Sequence, residues 1–382
     1  MICSASLLAQ QLWVTRLGGS KISPAQIDAT AARLMDAAHV TGLGIAIFNE
    51  GRVVYLKAYG YRDKEKNLPL TPASLMTAAS LTKAAFATMV MQLVHERIID
   101  LDKPVYQYLP KPLPEYPAYT DLANDPRYKQ ITMRMLLDHT SGFPNWRWLM
   151  DDKKLRIYFT PGARFAYSGE GIDLAQTVVE TVTKKSIYEL MDQRIFQPLG
   201  MTRTSMVSEK RFEDDHASRY DEQEKSLGQE FRQRADAAGS MQTTLRDYAR
   251  FAQAVLSGTI LDEKERKLML SPQIQIVSKH EFPSLATETT TENQAIRLSY
   301  GLGWGLYWTP YGKAFFKEGH DAGWRHYVVC FDKLKIGMLI MTNSSNGEDI
   351  YSSLLERLLQ DIFTPLEWEG FKASTDITPK HQ

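Results

Sequence analysis

The chain has 382 residues, of which 43% are hydrophobic and 24% charged, which is the composition of a globular protein. Lys and Arg together number 45, as do Asp and Glu, and this zero net charge argues against a general nucleic-acid-binding protein, which is expected to be basic. The sequence has neither an apolar run of 18 residues nor a low-complexity tract, which excludes membrane-spanning helices, fibrous proteins and largely disordered chains.

The first nine residues are small and apolar. They are consistent with the end of an export signal and equally with a flexible segment, so we assign residues 1–22 to a leader or flexible N-terminal segment. Export would leave Cys330 as the single thiol, and its apolar surroundings predict a buried small side chain rather than a nucleophile. The export-signal interpretation slightly favours a periplasmic or secreted location over a cytoplasmic one.

The next segment predicts a helix followed by a hairpin. Ser23 and Pro24 are a serine cap and a first-turn proline, and the helix is expected to continue to Ala38. Two apolar runs, 43–48 and 52–59, then flank a short turn, which indicates a β-hairpin.

The middle of the chain is predicted to be mainly helical. The longest helix, 80–98, is expected to be amphipathic, and the others lie at 172–182, 187–196, 244–256 and 262–270. Two long loops, 108–130 and 208–236, interrupt this part. Long loops are more often functional rims than idle connections, so we expect substrate specificity to come largely from these two.

Strands return towards the C-terminus. Four are predicted, at 302–308, 314–317, 326–331 and 336–341, and a last helix is expected from Asp349 to Phe363. The pattern indicates an α+β fold in which helices flank an antiparallel sheet built from both chain ends, with a helical lobe inserted between them. The sheet lobe is assigned to residues 23–75 and 271–365, the helical lobe to 76–270 and a C-terminal tail to 366–382.

One tetrapeptide, Ser80-Leu81-Thr82-Lys83, has the form S-x-x-K at the start of a predicted helix. Residues three apart share a helix face, so the Ser80 hydroxyl and the Lys83 amine can meet. A serine is a weak nucleophile without a base, and a lysine can act as that base if burial and the helix N-terminus lower its pKa. The alternative interpretation is a serine N-cap followed by a solvated lysine.

Seven segments together resemble the serine β-lactamase and penicillin-binding-protein superfamily, and within it the class C β-lactamase-like and esterase-like branch. In chain order the segments are Ser80–Lys83, Leu136–Gly142, Pro161–Ser168, Pro198–Thr202, Ala237–Met241, Tyr300–Trp304 and Gly319–Gly323. The fold that this resemblance implies, a helix-flanked antiparallel sheet with an inserted helical lobe, agrees with the predicted elements.

The resemblance implies catalytic roles for a few residues. Ser80 would be the acylated nucleophile and Lys83 would keep it activated. Tyr167 matches the tyrosine of the family's Y-x-N element, and a tyrosine with its pKa lowered by neighbouring cations could act as general base and then return the proton. A buried aromatic residue is the alternative for Tyr167.

His320 matches the first residue of the third element, which is K-T-G in many relatives and H-x-G in others. It would supply positive charge or a hydrogen bond near Tyr167, unless it is a structural histidine. The backbone N–H groups of Ser80 and Gly323 would form the oxyanion hole. Asp321, in the same element, is expected to contact substrate.

Further residues are candidates for the rim of the site. Trp146, Trp304 and Trp324 could line an apolar acyl pocket, with core packing as the alternative, and Trp148 is expected in the core. The resemblance makes His139 part of a structural turn, whereas Glu170, in the first turn of a helix, is a secondary candidate for catalysis.

Two departures from the family pattern bear on activity. Gly169 replaces the asparagine of Y-x-N, and the third element has His320 and Ala322 in place of its lysine and glycine. These changes weaken the case for an efficient β-lactamase and suit an esterase, amidase or peptidase.

We therefore expect a serine hydrolase that forms an acyl-enzyme with a small-molecule or peptide ester or amide, without a metal or organic cofactor. The alternatives are a penicillin-binding DD-peptidase or weak β-lactamase, and a catalytically inactive homologue that binds peptidoglycan fragments or another protein.

Overall fold

The structure, a computed structural model, describes residues 13–371. The predictions for an export signal, for Cys3 and for residues 372–382 fall outside this range. Among the described residues, no helix has the length and apolar character needed to cross a membrane.

The centre of the described chain is a nine-stranded antiparallel sheet. The strands in chain order are β1 Val14–Thr15, β2 Lys21–Ile22, β3 Gly42–Asn49, β4 Arg52–Asp63, β5 Leu68–Pro69, β6 Leu75–Thr77, β7 Ser218–Tyr220, β8 Ser226–Gln229, β9 Gln242–Thr244, β10 Ile274–Gln275, β11 Ser299–Tyr300, β12 Gly305–Thr309, β13 Gly312–Asp321, β14 Trp324–Phe331 and β15 Ile336–Thr342. The large sheet has the order β10-β11-β12-β13-β14-β15-β3-β4-β5, and β1-β2, β6-β9 and β7-β8 form small two-stranded sheets. Since β15 pairs with β3, both ends of the chain contribute to one sheet, as predicted.

Helices cover the sheet on both faces. The α-helices are α1 Pro24–Ala38, α2 Leu81–His95, α3 Met133–Leu137, α4 Gly169–Thr183, α5 Ile187–Met191, α6 Leu245–Ser257, α7 Glu263–Met269 and α8 Tyr351–Leu354. Short 3-10 segments lie at Val105–Tyr108, Leu113–Glu115, Pro117–Leu122, Pro126–Gln130, Arg147–Leu149, Lys210–Asp215, Glu292–Gln294 and Ser345–Ile350, and π-helical turns at Asp192–Phe196 and Leu355–Leu359.

Alternate side chains of β3 enter two separate cores. Ile45 and Ile47 pack with α1 and the C-terminal helical segment, whereas Ala46 and Phe48 pack with α2 and α6. The two-residue period of a strand requires this division when both faces are covered. The α+β architecture with helices flanking an antiparallel sheet is thus confirmed.

Several local predictions are confirmed as well. Helix α1 begins after Ser23, whose side chain and that of Gln26 form a capping box, and Pro24 is its first residue. The predicted hairpin is β3-β4, and the Cys330 thiol is buried.

The prediction of an amphipathic helix at 80–98 is wrong in one respect. Helix α2 ends at His95, and every side chain from Leu81 to Met91 is buried. The reason is its position, because α2 lies between the sheet and the helical lobe and has no solvent-facing side.

Three other segments differ from expectation. The last helix is broken into a 3-10 turn, α8 and a π-helical turn instead of running from Asp349 to Phe363. The two long loops contain short 3-10 helices, and the second also contains strands β7 and β8. Residues 366–371, assigned to a tail, include the buried side chains of Leu366, Trp368 and Phe371, which belong to the core that α1 covers.

Candidate active site

The start of helix α2 brings Ser80 and Lys83 into direct contact. Lys83 Nζ lies 3.0 Å from Ser80 Oγ and 2.6 Å from the carbonyl oxygen of Ala238. The Lys83 side chain is only 1% exposed, and the Ser80 side chain makes no capping hydrogen bond to the helix. The alternative of a serine cap followed by a solvated lysine does not fit this geometry.

The chain turns sharply immediately before Ser80. Ala79 has a φ of 47°, a left-handed conformation that is unfavourable for any residue with a Cβ. The N–H groups of Leu81 and Thr82 bond to the carbonyls of Ala78 and Ala79, whereas the Ser80 N–H has no backbone acceptor among residues 13–371. The turn therefore leaves the Ser80 N–H available to a ligand.

Tyr167 completes this group of side chains. Its hydroxyl lies close to the Ser80 side chain and accepts a hydrogen bond of 3.0 Å from Lys317 Nζ. The two lysine ammonium groups lie over its ring, Lys83 at 5.1 Å and Lys317 at 4.7 Å from the centroid. Ser80, Lys83, Tyr167 and Lys317 thus form one continuous buried cluster.

Burial has opposite consequences for the two ionisable groups next to Ser80. It lowers the pKa of Lys83 to about 8, with the nearby Lys317 adding to the effect. It raises the pKa of Tyr167 well above 10, reinforced by the negative charge of Glu318. The expectation of a lowered tyrosine pKa is therefore wrong, because desolvation of the phenolate and nearby carboxylates outweigh the two lysines.

His320 lines the same cavity as Ser80 and Tyr167, but its side chain pairs with a carboxylate. Its side chain is about half exposed, and Nδ1 lies 3.3 Å from Glu348 Oε2. The cation in contact with Tyr167 is Lys317, three residues earlier on β13. The signal for it was present in the sequence, because Lys317-Glu318-Gly319 has the K-x-G form of the family's third element.

Gly319 brings β13 against the turn before Ser80. A Cβ at this position would lie 2.6 Å from the Ala78 carbonyl oxygen and 3.3 Å from the Leu81 nitrogen, so only glycine permits this approach. Gly323, the expected oxyanion donor, instead lies in the β13-β14 turn beside the backbone of Arg219 and Tyr220. The β13 backbone at Gly319 is therefore nearer to Ser80 than Gly323 is.

The cluster opens into a cavity of about 1160 Å³. Trp146 lines it and stacks on Trp148 with ring centroids 4.4 Å apart. Trp148 is 57% exposed at the cavity mouth, contrary to the core position predicted for it. The second long loop contributes residues 230–234 and Asp236 to the lining, whereas the first contributes none.

The other two tryptophans are not part of the lining. Trp304 is fully buried between Phe251 and Phe315, so it is a core residue. Trp324 is also buried, and its indole N–H donates to Glu230 over 2.8 Å. Trp324 therefore holds Glu230, which lines the cavity, without lining the cavity itself.

Asp321 does line the cavity, and Arg232 from the second long loop lies 2.6 Å from its carboxylate. This ion pair links the end of β13 to the loop that covers the site.

Two further candidate residues, His139 and Glu170, make structural contacts. His139 is fully buried, its Nδ1 accepts the Ser168 N–H over 3.2 Å, and burial lowers its pKa well below 6.5. Glu170 forms a two-armed ion pair with Arg147, 2.6 Å at its shortest. This pair holds the segment that carries Trp146 and Trp148 and does not reach Ser80.

Two groups of side chains among the described residues have the spacing of a metal site. One is His95, Asp262 and Glu265, and the other is Glu281, Glu318 and Glu369, which belongs to the cavity wall. Neither group includes Ser80, Lys83 or Tyr167.

Comparison with known proteins agrees with this fold. A family model described as Beta-lactamase matches residues 27–360. Penicillin-binding protein 4* of Bacillus subtilis (strain 168) is 24% identical over 311 residues, which cover 72% of this chain and 62% of that protein. Protein flp of Staphylococcus aureus (strain COL) is 28% identical over 201 residues, which cover 48% of this chain and 38% of that protein. The chain thus spans less than two thirds of these curated relatives.

A solved structure supports the same fold. The octameric penicillin-binding protein homologue from Pyrococcus abyssi superposes with a TM-score of 0.70 at 24% identity, covering 90% of this chain and 79% of that one.

Proposed function

The chain belongs to the Beta-lactamase family, and on this premise we propose that it is a serine hydrolase that cleaves esters or amides through an acyl-enzyme on Ser80. The observation that carries the proposal is the 3.0 Å contact of Lys83 Nζ with Ser80 Oγ beside the buried Tyr167 hydroxyl, where all three residues line a large cavity. A nucleophile, a base and an acid in mutual contact are what acyl transfer requires.

In the proposed acylation, Ser80 Oγ attacks the substrate carbonyl carbon and its proton passes to Lys83 Nζ. A pKa of about 8 leaves part of the Lys83 population neutral near pH 7, so this amine can act as base. When the bond to the leaving group breaks, Tyr167 donates its hydroxyl proton to the departing oxygen or nitrogen. The resulting phenolate is held by Lys317, and the net charge of the site is unchanged.

Deacylation returns both protons. Water attacks the acyl carbon and gives a proton to the Tyr167 phenolate, and Ser80 Oγ leaves with the proton held by Lys83. The products are the free acid and the starting enzyme. The roles of Lys83 and Tyr167 reverse between the two steps, as microscopic reversibility requires.

The oxyanion formed in both steps needs backbone donors. We assign these to the Ser80 N–H, which lacks a backbone acceptor within the described chain, and to the β13 backbone near Gly319. This replaces the Gly323 donor expected from sequence.

We place esters and amides with an apolar acyl group first among substrates. Trp146 fills a wall of the cavity beside Lys83, with its ring centroid 5.9 Å from Nζ, so the acyl group would meet an aromatic surface. A penicillin-binding activity is the second candidate, and the name of the Bacillus relative favours it. Glu318, which stands at the threonine position of K-T-G, counts against it because β-lactams carry a carboxylate.

The test is intact-protein mass spectrometry after exposure to p-nitrophenyl esters, D-Ala-D-Ala peptides and a fluorescent penicillin, with the Ser80→Ala variant in parallel. We expect an acyl adduct from the esters on wild-type protein and none on the variant. A stable penicillin adduct without ester turnover would favour the second candidate. Equal labelling or equal hydrolysis by the Ser80→Ala variant would overturn the mechanism, and failure of every probe to label folded wild-type protein would favour a binding homologue.

A further inference from the structure

Three buried carboxylates form one wall of the cavity that contains Ser80. The side chains of Glu281, Glu318 and Glu369 are only 3%, 6% and 6% exposed, and each offers an oxygen within 4.8 Å of the other two. They come from three distant parts of the chain and all line the cavity. We call these three residues the carboxylate wall.

Protein cations within the described chain do not balance this wall. Lys317 is fully buried and forms a close ion pair with Glu318. Glu369 Oε2 accepts a hydrogen bond of 2.6 Å from the Tyr327 hydroxyl, whereas its Oε1 is buried and has no hydrogen-bond partner among the described residues. A buried carboxylate oxygen without a partner is costly, and a ligand donor would satisfy it.

The carboxylate wall carries more negative charge than the nearby protein cations neutralise. Burial raises the pKa of Glu281 and of Glu369 well above the usual value, and Glu318 adds to both effects. These two groups therefore take up protons when nothing else compensates them. A cationic group that arrived from the cavity would replace those protons and be held by the carboxylates.

The wall is next to the reacting groups. Glu318 directly follows Lys317, the lysine that contacts Tyr167. Phe282, adjacent to Glu281, packs on Tyr167 with ring centroids 5.5 Å apart. A substrate whose carbonyl is at Ser80 therefore has its nearby substituents within reach of the wall.

Part of the exposed rim of the same cavity is aromatic. Trp148, Phe231 and Phe282 line it and are 57%, 46% and 44% exposed. The exposed side chains of Gln233, Arg234 and His320 also line the cavity. Aromatic surface beside an acidic wall fits a ligand with a hydrocarbon body and a cationic end.

We propose that Glu281, Glu318 and Glu369 bind a cationic group of the substrate, an alkylammonium or a guanidinium, and thereby select cationic over anionic esters and amides. This inference rests on the proposed serine hydrolase function and specifies its substrate class. The competing occupant, a divalent metal ion, is disfavoured because the Lys317 ammonium already contacts Glu318 and would repel a double charge more strongly than a single one.

The experiment compares three p-nitrophenyl esters that differ only in the end group of the acyl chain. They are the 6-aminohexanoate, the heptanoate and the monoester of pimelic acid, which are cationic, neutral and anionic at pH 7. We expect kcat/KM for the cationic ester to exceed that for the neutral one by about tenfold or more, the scale of one hydrogen bond to a charged group. The anionic ester should be the poorest of the three.

Variants locate the origin of this preference. Glu281→Gln and Glu369→Gln should each reduce the cationic-to-neutral ratio of kcat/KM towards one, because the amide keeps the size and removes the charge. Glu230→Gln is the matched control, since Glu230 lines the same cavity outside the wall, and it should keep the wild-type ratio. Far-ultraviolet circular dichroism and thermal melts check that each variant is folded.

Each outcome has a separate meaning. Turnover of the neutral ester that depends on Ser80, without a charge preference, would overturn this inference and leave the hydrolase function standing. No turnover of any ester would overturn the hydrolase function itself. Micromolar binding of Ca²⁺ or Mn²⁺ by calorimetry, lost in Glu281→Gln, would assign the wall to a metal ion and overturn the inference.

Discussion

The indole ring of Trp146 occupies the space where a side chain at position 169 would begin. A Cβ on Gly169 would lie 2.4 Å from Cη2 of this ring, well inside van der Waals contact. The asparagine of the family's Y-x-N element therefore cannot coexist with Trp146 in its present position. At this position an aromatic ring therefore takes the place of a side-chain amide.

This relationship predicts strong energetic coupling between the two positions. Gly169→Ala should destabilise the protein by about 1–3 kcal/mol, the usual cost of overpacking, because Gly169 has no positive φ and the methyl group meets only the indole ring. In the Trp146→Ala background the same change should cost almost nothing. Urea unfolding of the four proteins in a double-mutant cycle measures the coupling.

Gly171→Ala, two residues along the same helix, is the control for that cycle. The nearest atom to its added Cβ would be 3.3 Å away in Ser141 or Ser168, and Trp146 is not among its three nearest neighbours. Its effect should add to that of Trp146→Ala. Additivity at Gly169 as well would contradict the steric argument.

The proposed role of Tyr167 as proton donor predicts dependence on the leaving group. Tyr167→Phe should lower kcat/KM, which reports the acylation step, by roughly 100-fold for an alkyl ester, the usual scale for a lost acid group. The loss should be much smaller for a p-nitrophenyl ester with the same acyl chain, because p-nitrophenolate departs without protonation. Equal losses for the two esters would assign Tyr167 to packing or to positioning of Ser80.

The sequence predicts the nucleophile and its neighbour because their relationship is local. Ser80 and Lys83 are three residues apart on a helix, and helical geometry alone brings them together. The fold class follows from periodicity in the same way, since β3 and β4 are long strands joined by a short turn. Helix α2 shows the limit of prediction from periodicity. The burial of every side chain from Leu81 to Met91 depends on what the rest of the chain packs against the helix.

The positions of the residues on the other side of the cavity depend on long-range packing. Such packing leaves a weaker signal in the sequence. Glu281 and Glu369 lie in irregular segments without periodicity, and only the folded chain places them beside Glu318. Lys317 could have been identified from its K-x-G pattern, but His320, three residues later, matched the first residue of the alternative H-x-G form. In the structure Lys317 contacts Tyr167 and His320 contacts Glu348, which favours Lys317 for this role.

The assignment of the cationic role to Lys317 instead of His320 is itself testable. His320→Gln should change kcat/KM for a neutral ester by less than about threefold, because its side chain is paired with the half-buried Glu348, which Arg325 also contacts, and not with Tyr167. Removing Lys317 should lower kcat by at least tenfold, because the Tyr167 phenolate would lose its cation. Since Lys317→Met alone leaves the buried Glu318 unpaired, the informative variant is the double change with Glu318→Gln.

The comparison is made at equal folded fraction, established from thermal melts of each variant. A large loss in His320→Gln together with normal turnover in the Lys317→Met/Glu318→Gln protein would return the role to the histidine.

The lowered pKa of Lys83 predicts the pH dependence of turnover. A base works in its neutral form, so kcat/KM for a neutral ester should be low at pH 6, rise through an inflection near pH 8 and level off above it. The raised pKa of Tyr167 keeps the phenol protonated over this range, so no falling limb should follow up to about pH 9.5. Because Tyr167→Phe leaves the base in place, its residual activity should show the same inflection. Lys83→Arg, which cannot lose its proton in this range, should have no Ser80-dependent turnover at any pH. A flat profile between pH 6 and 9, or an inflection that persists in Lys83→Arg, would exclude Lys83 as the base that activates Ser80.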